Sequence, residues 1–336
     1  MIFAIGDVHG CAYELRQLLN KLPLTPESTV VFLGDYIDRG GHSKDVIDTI
    51  LELQTQCHVV CLLGNHEAMF LNFLDNPGTE RAGLFIVNGG SAPLAAYADD
   101  HGNYAFPEEH IKFFRSLKLS YEDEHHFFVH AGVPEIPLAD LDPVVHGKKM
   151  IWIRGAFLKS EYDWGKVIVH GHTPVAEVEI RRNRINVDTG CVFMRSLSAV
   201  ALPGQQVFSV PRQRIVKPVY LTDAASRRVA IRFEGALPVF IEIDGQDYQF
   251  ETLDYSEVGL YIREIAQGVV PQLAEGQAIE GRVGKDSSAS VRFHGSVIRA
   301  HQIEAGTRYA VKVDAMENMQ DNRESASQGV DPIPEL

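Results

Sequence analysis

At 336 residues the chain is long for one domain and comfortable for two, and 45% hydrophobic with 23% charged residues is the composition of a chain that buries ordinary cores. A net charge of −14 argues against a general nucleic-acid binder, whose affinity needs clustered Lys and Arg, so any anion site must be local. Four cysteines without a CxxC pair argue against a disulfide framework or a cysteine zinc site and predict small buried side chains.

The chain begins MIFAIGD, a strand pattern running into a loop. It has neither a signal-peptide pattern nor an apolar run of membrane-spanning length, so a cytoplasmic protein is expected. Over the first two hundred residues, β-branched runs at Ile2–Ile5, Thr29–Leu33, His58–Leu63, His126–Val129, Lys166–Val169 and Ile185–Val187 read as buried strands. Ser43–Gln54 places Val46, Ile47, Ile50, Leu51 and Leu53 at helical spacing, and strands alternating with such helices predict an α/β architecture.

Five motifs lie just past these runs, where open α/β sheets carry their ligand loops: Gly6-Asp7-Val8-His9-Gly10, Gly34-Asp35-Tyr36-Ile37-Asp38-Arg39-Gly40, Gly64-Asn65-His66-Glu67, His130-Ala131-Gly132 and Gly171-His172-Thr173. Carboxylates, imidazoles and one amide recurring at that position suit a borderline divalent metal such as manganese, iron or zinc. A single His after a strand is usually structural. Five motifs in one topological position are not.

In this order the motifs GDxHG, GDxxDRG, GNHE, HAG and GHT resemble the phosphoprotein phosphatases, in their bacterial and phage-lambda-like branch. The likeness covers residues 1–213, including Val187-Asp188-Thr189-Gly190-Cys191-Val192-Phe193. It implies a metallophosphoesterase β-sandwich flanked by helices, with two metals at one sheet edge. Asp7, His9 and Asp35 would hold one metal; Asp35, Asn65, His130 and His172 the other, with Asp35 as the bridge. Two cations about 3.5 to 4 Å apart clamp a phosphate and acidify a shared water. The resemblance makes His66 the general acid, with Asp38 fixing its tautomer and raising its basicity, and gives Arg39 and Arg154 the phosphate oxygens. His170, Asp188 and Glu67 are expected to support these groups; His42, His101, His110, His125, His126 and His146 receive no role.

Pro203, Pro211 and Pro218 loosen the pattern around 204–226, and 214–226 reads as a linker. Beyond it, alternating segments at Val239–Ile243, Tyr248–Leu253, Ala289–Phe293 and Tyr309–Val313, with a turn at Asp244-Gly245, predict a small all-β domain over 227–317. Arg227-Arg228-Val229-Ala230-Ile231-Arg232 contains RxxxR, and Asp254-Tyr255-Ser256-Glu257-Val258-Gly259 is a DxSxxG. Together they resemble the PilZ domain, a small β-barrel. The resemblance implies that Arg227, Arg228, Arg232, Asp254, Ser256 and Gly259 bind cyclic di-GMP, arginines pairing with phosphates and the Asp/Ser turn with base edges. Gln267–Ser288 reads as a polar insertion and 318–336 as a disordered tail.

The sequence therefore predicts a manganese-dependent phosphatase for phosphoserine or phosphothreonine in proteins, regulated by cyclic di-GMP. Two rivals stand beside it. A dinucleoside polyphosphate hydrolase is disfavoured by Asp38-Arg39-Gly40 and the GNHE form, where such hydrolases depart. An adaptor whose β-domain only docks is disfavoured by the intact ligand set.

Overall fold

In a computed structural model, the structure describes residues 1–99, 104–213, 233–234, 236–256, 259–265, 272–284, 290–303 and 306–318. The expected linker, Arg227, Arg228, Arg232 and the tail beyond 318 lie outside them.

The N-terminal part contains ten strands: β1 (Ile2–Ile5), β2 (Thr29–Phe32), β3 (His58–Cys61), β4 (Ser120–Glu122), β5 (His126–Val129), β6 (Val167–His170), β7 (Glu179–Ile180), β8 (Arg184–Asn186), β9 (Ser196–Leu202) and β10 (Gln206–Pro211). Its helices are α1 (Ala12–Lys21), α2 (Ser43–Leu53), α3 (Asn65–Asp75), α4 (Glu80–Phe85), α5 (Ser91–Ala96), α6 (Glu108–Arg115), α7 (Pro143–Trp152) and α8 (Gly155–Lys159). One sheet runs β10-β9-β1-β2-β3 and a second runs β4-β5-β6-β8-β7.

The two sheets stack because their strands alternate two apolar faces. Ala4, Val31, Leu33, Val60 and Leu62 of the first meet Phe128, Val169, Ile185 and Val187 of the second. On the outer face of the first sheet, Phe3, Ile5, Val30 and Phe32 share a core with Leu15 and Leu18 of α1 and Val46, Ile47 and Ile50 of α2. Outside the second sheet, Phe127, Val129 and Ile168 pack with Met150, Phe157 and Trp164. β1, β2 and β3 are mutually parallel, as are β5, β6 and β8, so the loops leaving the central strands of each sheet emerge at its carboxyl edge.

The C-terminal part is all β: β11 (Phe233–Glu234), β12 (Pro238–Ile243), β13 (Gln246–Ser256), β14 (Gly259–Glu264), β15 (Ala278–Val283), β16 (Val291–Ile303) and β17 (Gly306–Asn318). Their order is β11-β13-β12-β15-β16-β17-β14, and pairing of β14 with β13 closes a six-stranded barrel with β11 beside it. One expectation needs correction. The segment read as a polar insertion contains β15, which pairs with both β12 and β16. Ile279 and Val283 point into the barrel while Glu280 is exposed, and the Arg282 guanidinium lies 3.8 Å from the Phe240 ring centroid. A strand with one wet face reads as a polar segment.

Candidate metal centre

Every sequence-predicted residue of the metal and phosphate site lies at one edge of the sandwich. Asp7 and His9 follow β1, Asp35 follows β2, Asn65 and His66 open α3 after β3, His130 follows β5 and His172 follows β6. The β1 and β2 loops are tied together, since the N–H groups of Val8 and His9 donate to the Asp35 carbonyl at 3.0 and 2.8 Å and that of Gly10 to Tyr36 at 2.8 Å. α3 is anchored by Phe70, whose ring lies 5.7, 5.0 and 4.8 Å from Phe85, Phe106 and Phe114. At its start Gly64 is required sterically, because a Cβ there would stand 2.1 Å from Asp35 Oδ1. Among the described residues eight non-glycines adopt positive φ, and five of them are His9, Asp35, Asp38, Arg39 and His172. Such backbone costs about 1 to 3 kcal/mol per residue and persists only where the surroundings impose it.

Glu67 does much of the imposing. Fully buried, it accepts the N–H groups of Asp35 and Gly64 on one oxygen at 2.9 and 3.2 Å and those of Tyr36 and Ile37 on the other at 2.8 and 3.2 Å. Burial and the facing Asp35 push its carboxyl up to about 8, and the backbone donors oppose them.

The donor atoms form two clusters sharing Asp35. Asp35 Oδ2 lies 3.4 Å from His9 Nε2 and 3.9 Å from His66 Nε2; Oδ1 lies 3.5 Å from His130 Nε2. His130 Nε2 is 3.0 Å from Asn65 Oδ1 and 3.2 Å from His172 Nδ1, and Asp7 accepts the His172 N–H on both oxygens at 3.1 and 3.2 Å. Divalent metals fit this set. His9 and His130 each direct Nδ1 at a carbonyl, of Ile37 and Leu33, both at 2.8 Å. That leaves Nε2 of each as the lone-pair donor facing Asp35. Burial, with Asp188 and Asp35 beside it, holds Asp7 well above the usual carboxylate range; burial and Arg39 lower His9 to about 4. Buried carboxylates that repel one another and neutral imidazoles are what a cation would stabilise.

The phosphate candidates rest on the same imidazoles. Arg39 Nη1 lies 2.9 Å from His9 Nε2, and Arg154 Nε donates to His172 Nε2 at 2.9 Å. His66 Nδ1 is 2.5 Å from Asp38 Oδ2, both groups buried. Burial first, then Arg39 and the neighbouring imidazoles, hold His66 well below the ordinary range. Two neighbours escaped the sequence reading. Phe193, 52% exposed, stacks under Arg39 at 5.4 Å, and Trp152 lies edge-on to His172 at 6.1 Å. An apolar side chain left in water beside a charged loop is the only signal that could have found Phe193. His110, given no role, bridges Tyr97 and Asp48 in the scaffold.

In the barrel, Asp254 and Ser256 lie at the end of β13, and Ser256 pairs with Gly259 at the start of β14. Phe233 and Glu234, next in sequence after Arg232, pair with Tyr255 and Asp254. The Asp254 and Ser256 positions thus lie on the strand that β11 joins, while Arg227, Arg228 and Arg232 lie outside the described residues. Cys11 and Cys191 are buried as expected, whereas Cys57 and Cys61 are only partly so. Among the described residues no helix is long and apolar enough to cross a membrane.

The family model for calcineurin-like phosphoesterases matches residues 1–193 and that for the PilZ domain residues 226–325. The chain is 31% identical over 231 residues to the asymmetrical bis(5'-nucleosyl)-tetraphosphatase PrpE of Oceanobacillus iheyensis, covering 61% of this chain and 90% of that protein. It is 30% identical over 235 residues to the protein of the same name from Anoxybacillus flavithermus, covering 62% and 92%. A cold-active protein-tyrosine phosphatase of a psychrophilic Shewanella aligns over 63% of this chain and 80% of its own, with 19% identity and a TM-score of 0.43. With its two-sheet sandwich, its clustered carboxylates and imidazoles and its closed barrel, the chain belongs to the calcineurin-like phosphoesterase family and carries a C-terminal PilZ domain.

Proposed function

We propose that this phosphoesterase removes phosphate from phosphoserine and phosphothreonine in proteins, using two divalent ions, manganese foremost, under control of cyclic di-GMP bound to the PilZ domain. Asp7, His9 and Asp35 would hold one ion and Asp35, Asn65, His130 and His172 the other. Bound there, the ions would supply charge neutralisation and an acidified water. Ligation needs the His9 and His172 nitrogens free, so Arg39 and Arg154 would turn from them toward the phosphate oxygens, which a planar guanidinium binds in pairs.

The observation carrying the substrate class is the buried His66–Asp38 pair at 2.5 Å. A seryl alkoxide is a poor leaving group and must be protonated as it departs. His66 Nε2 would give that proton, and Asp38 would stabilise the imidazolium while the phosphate dianion is bound. For the messenger, Arg227, Arg228 and Arg232 would take the phosphates and the Asp254, Ser256 and Gly259 hairpin the base edges. The match of residues 226–325 to the PilZ domain supports this.

A second reading has its own support, since relatives matched over nine-tenths of their length are named tetraphosphatases. There the leaving group is a nucleotide phosphate, stable as an anion. The test is turnover of phosphoseryl peptides and of a dinucleoside tetraphosphate by the manganese-loaded full chain, wild type and His66→Asn. The first reading expects peptide turnover that His66→Asn removes. Turnover of the tetraphosphate alone, insensitive to His66→Asn, would replace it with the second.

A further inference from the structure

Behind Asp38 and Arg39 stands a kinked segment, Ile86–Gly90, between α4 and α5. Its Gly89 has φ 109° and presses on the catalytic loop: a Cβ there would lie 3.3 Å from both Arg39 N and Arg39 Cγ and 3.6 Å from Asp38 Cβ. Asp38 and Arg39 have φ of 70° and 63°, so this contact backs two residues held in left-handed conformations.

The same segment also meets the barrel. β13 and β17 pack against it, and Leu237 shares an apolar cluster with Ala82, Phe85, Ile86 and Val87. Leu237 covers Gly83 so closely that a Cβ there would stand 2.5 Å from its Cδ2. It is also fixed to β13: Leu237 N–H donates to Thr252 Oγ1 at 2.8 Å, and Thr252 N–H donates to the Leu237 carbonyl at 2.9 Å. The register of β13 shifts between Thr252 and Asp254, immediately before the DxSxxG hairpin.

We propose that the kinked segment Ile86–Gly90 is the positioning element for Asp38 and Arg39, and that the barrel acts on the phosphoesterase site through it, by way of Leu237 and β13. The inference rests on the reading of the barrel as a cyclic di-GMP sensor. A cyclic dinucleotide bound by the barrel bears on β13; β13 moves Leu237 against Gly83 of α4; α4 carries the kinked segment against Asp38 and Arg39. A ligand can shift turnover only by binding the two placements of this junction with different affinity, and it need not touch the metal site to do so.

The experiment uses the full manganese-loaded chain, with phenyl phosphate and para-nitrophenyl phosphate as substrates of unequal leaving group. Gly89→Ala should keep its metals while melting at a lower temperature, since alanine must hold φ 109°. It should lose about tenfold more turnover on phenyl phosphate than on para-nitrophenyl phosphate, because displaced Asp38 weakens proton donation by His66. Leu237→Ala should bind cyclic di-GMP, followed by calorimetry, within about threefold of wild type and lose most of the ligand-dependent change in turnover. An equal loss on both substrates, or none, overturns the positioning role. A Leu237→Ala chain that responds like wild type overturns the junction and leaves regulation standing. Wild type that binds the dinucleotide without change in turnover overturns the coupling; wild type that does not bind it removes the sensor reading itself, with Gly89→Ala still deciding the positioning role. Should Gly89→Ala not fold, Gly89→Asn, better suited to positive φ, takes its place in the two-substrate comparison, with the same outcomes.

Discussion

Replacing Glu67 by glutamine removes the clasp on the metal loops without changing their shape. The carboxylate accepts four buried backbone N–H groups, two on each oxygen. Glutamine has one acceptor oxygen, so in either orientation its NH2 group faces two N–H donors that lose their partner. Each unsatisfied buried donor costs about 1 to 3 kcal/mol, which makes the expected destabilisation about 2 to 6 kcal/mol. For a domain of this size that is a fall in melting temperature of about 5 to 20 °C. The loss should appear first in the metal-free chain, since bound cations hold the same loop from the other side and offset part of it. Thermal unfolding with and without manganese, beside direct metal analysis, reads both effects. A Glu67→Gln chain that melts within about 2 °C of wild type when metal-free would refute the clasp.

His66→Asn should retain its metals and lose about two to four orders of magnitude in turnover on alkyl phosphates, with a smaller loss on para-nitrophenyl phosphate; stopped assays on both esters decide it. Arg228→Ala or Arg232→Ala should weaken cyclic di-GMP binding by more than about tenfold, or about 1.5 to 3 kcal/mol, in calorimetry, whereas Arg154→Ala leaves it unchanged. A hydrogen bond shared with Cys11, then burial, hold the Cys191 thiol far above the ordinary range. Iodoacetamide should therefore modify neither Cys11 nor Cys191 in the folded chain, and both after denaturation, as mass spectrometry would show.

The clustering of the candidate ligands was legible because their motifs sit on loops that directly follow β-branched runs. Ile2–Ile5 and His126–Val129 coincide with β1 and β5, and each motif then falls at a strand's carboxyl end. The stacking of two sheets was not legible from pattern: Ala4 and Phe3 are both apolar, and only the fold tells which faces the other sheet and which the helices. Three other features lay outside the pattern for separate reasons. β15 alternates core residues with charges at a barrel surface. The kinked segment Ile86-Val87-Asn88-Gly89-Gly90 has the composition of a loop. Phe193 packs on Arg39 through long-range folding that local sequence does not encode.

The central claim is that Asp35 joins two cation sites that together perform hydrolysis. Metal analysis of the full chain, paired with phosphoester turnover before and after exhaustive chelation and manganese return, tests it most directly. The account predicts about two ions per chain, no turnover without them, recovery with manganese, and loss of both ions in Asp35→Asn. Undiminished turnover by the metal-free chain, or an Asp35→Asn chain that keeps both ions, would contradict it.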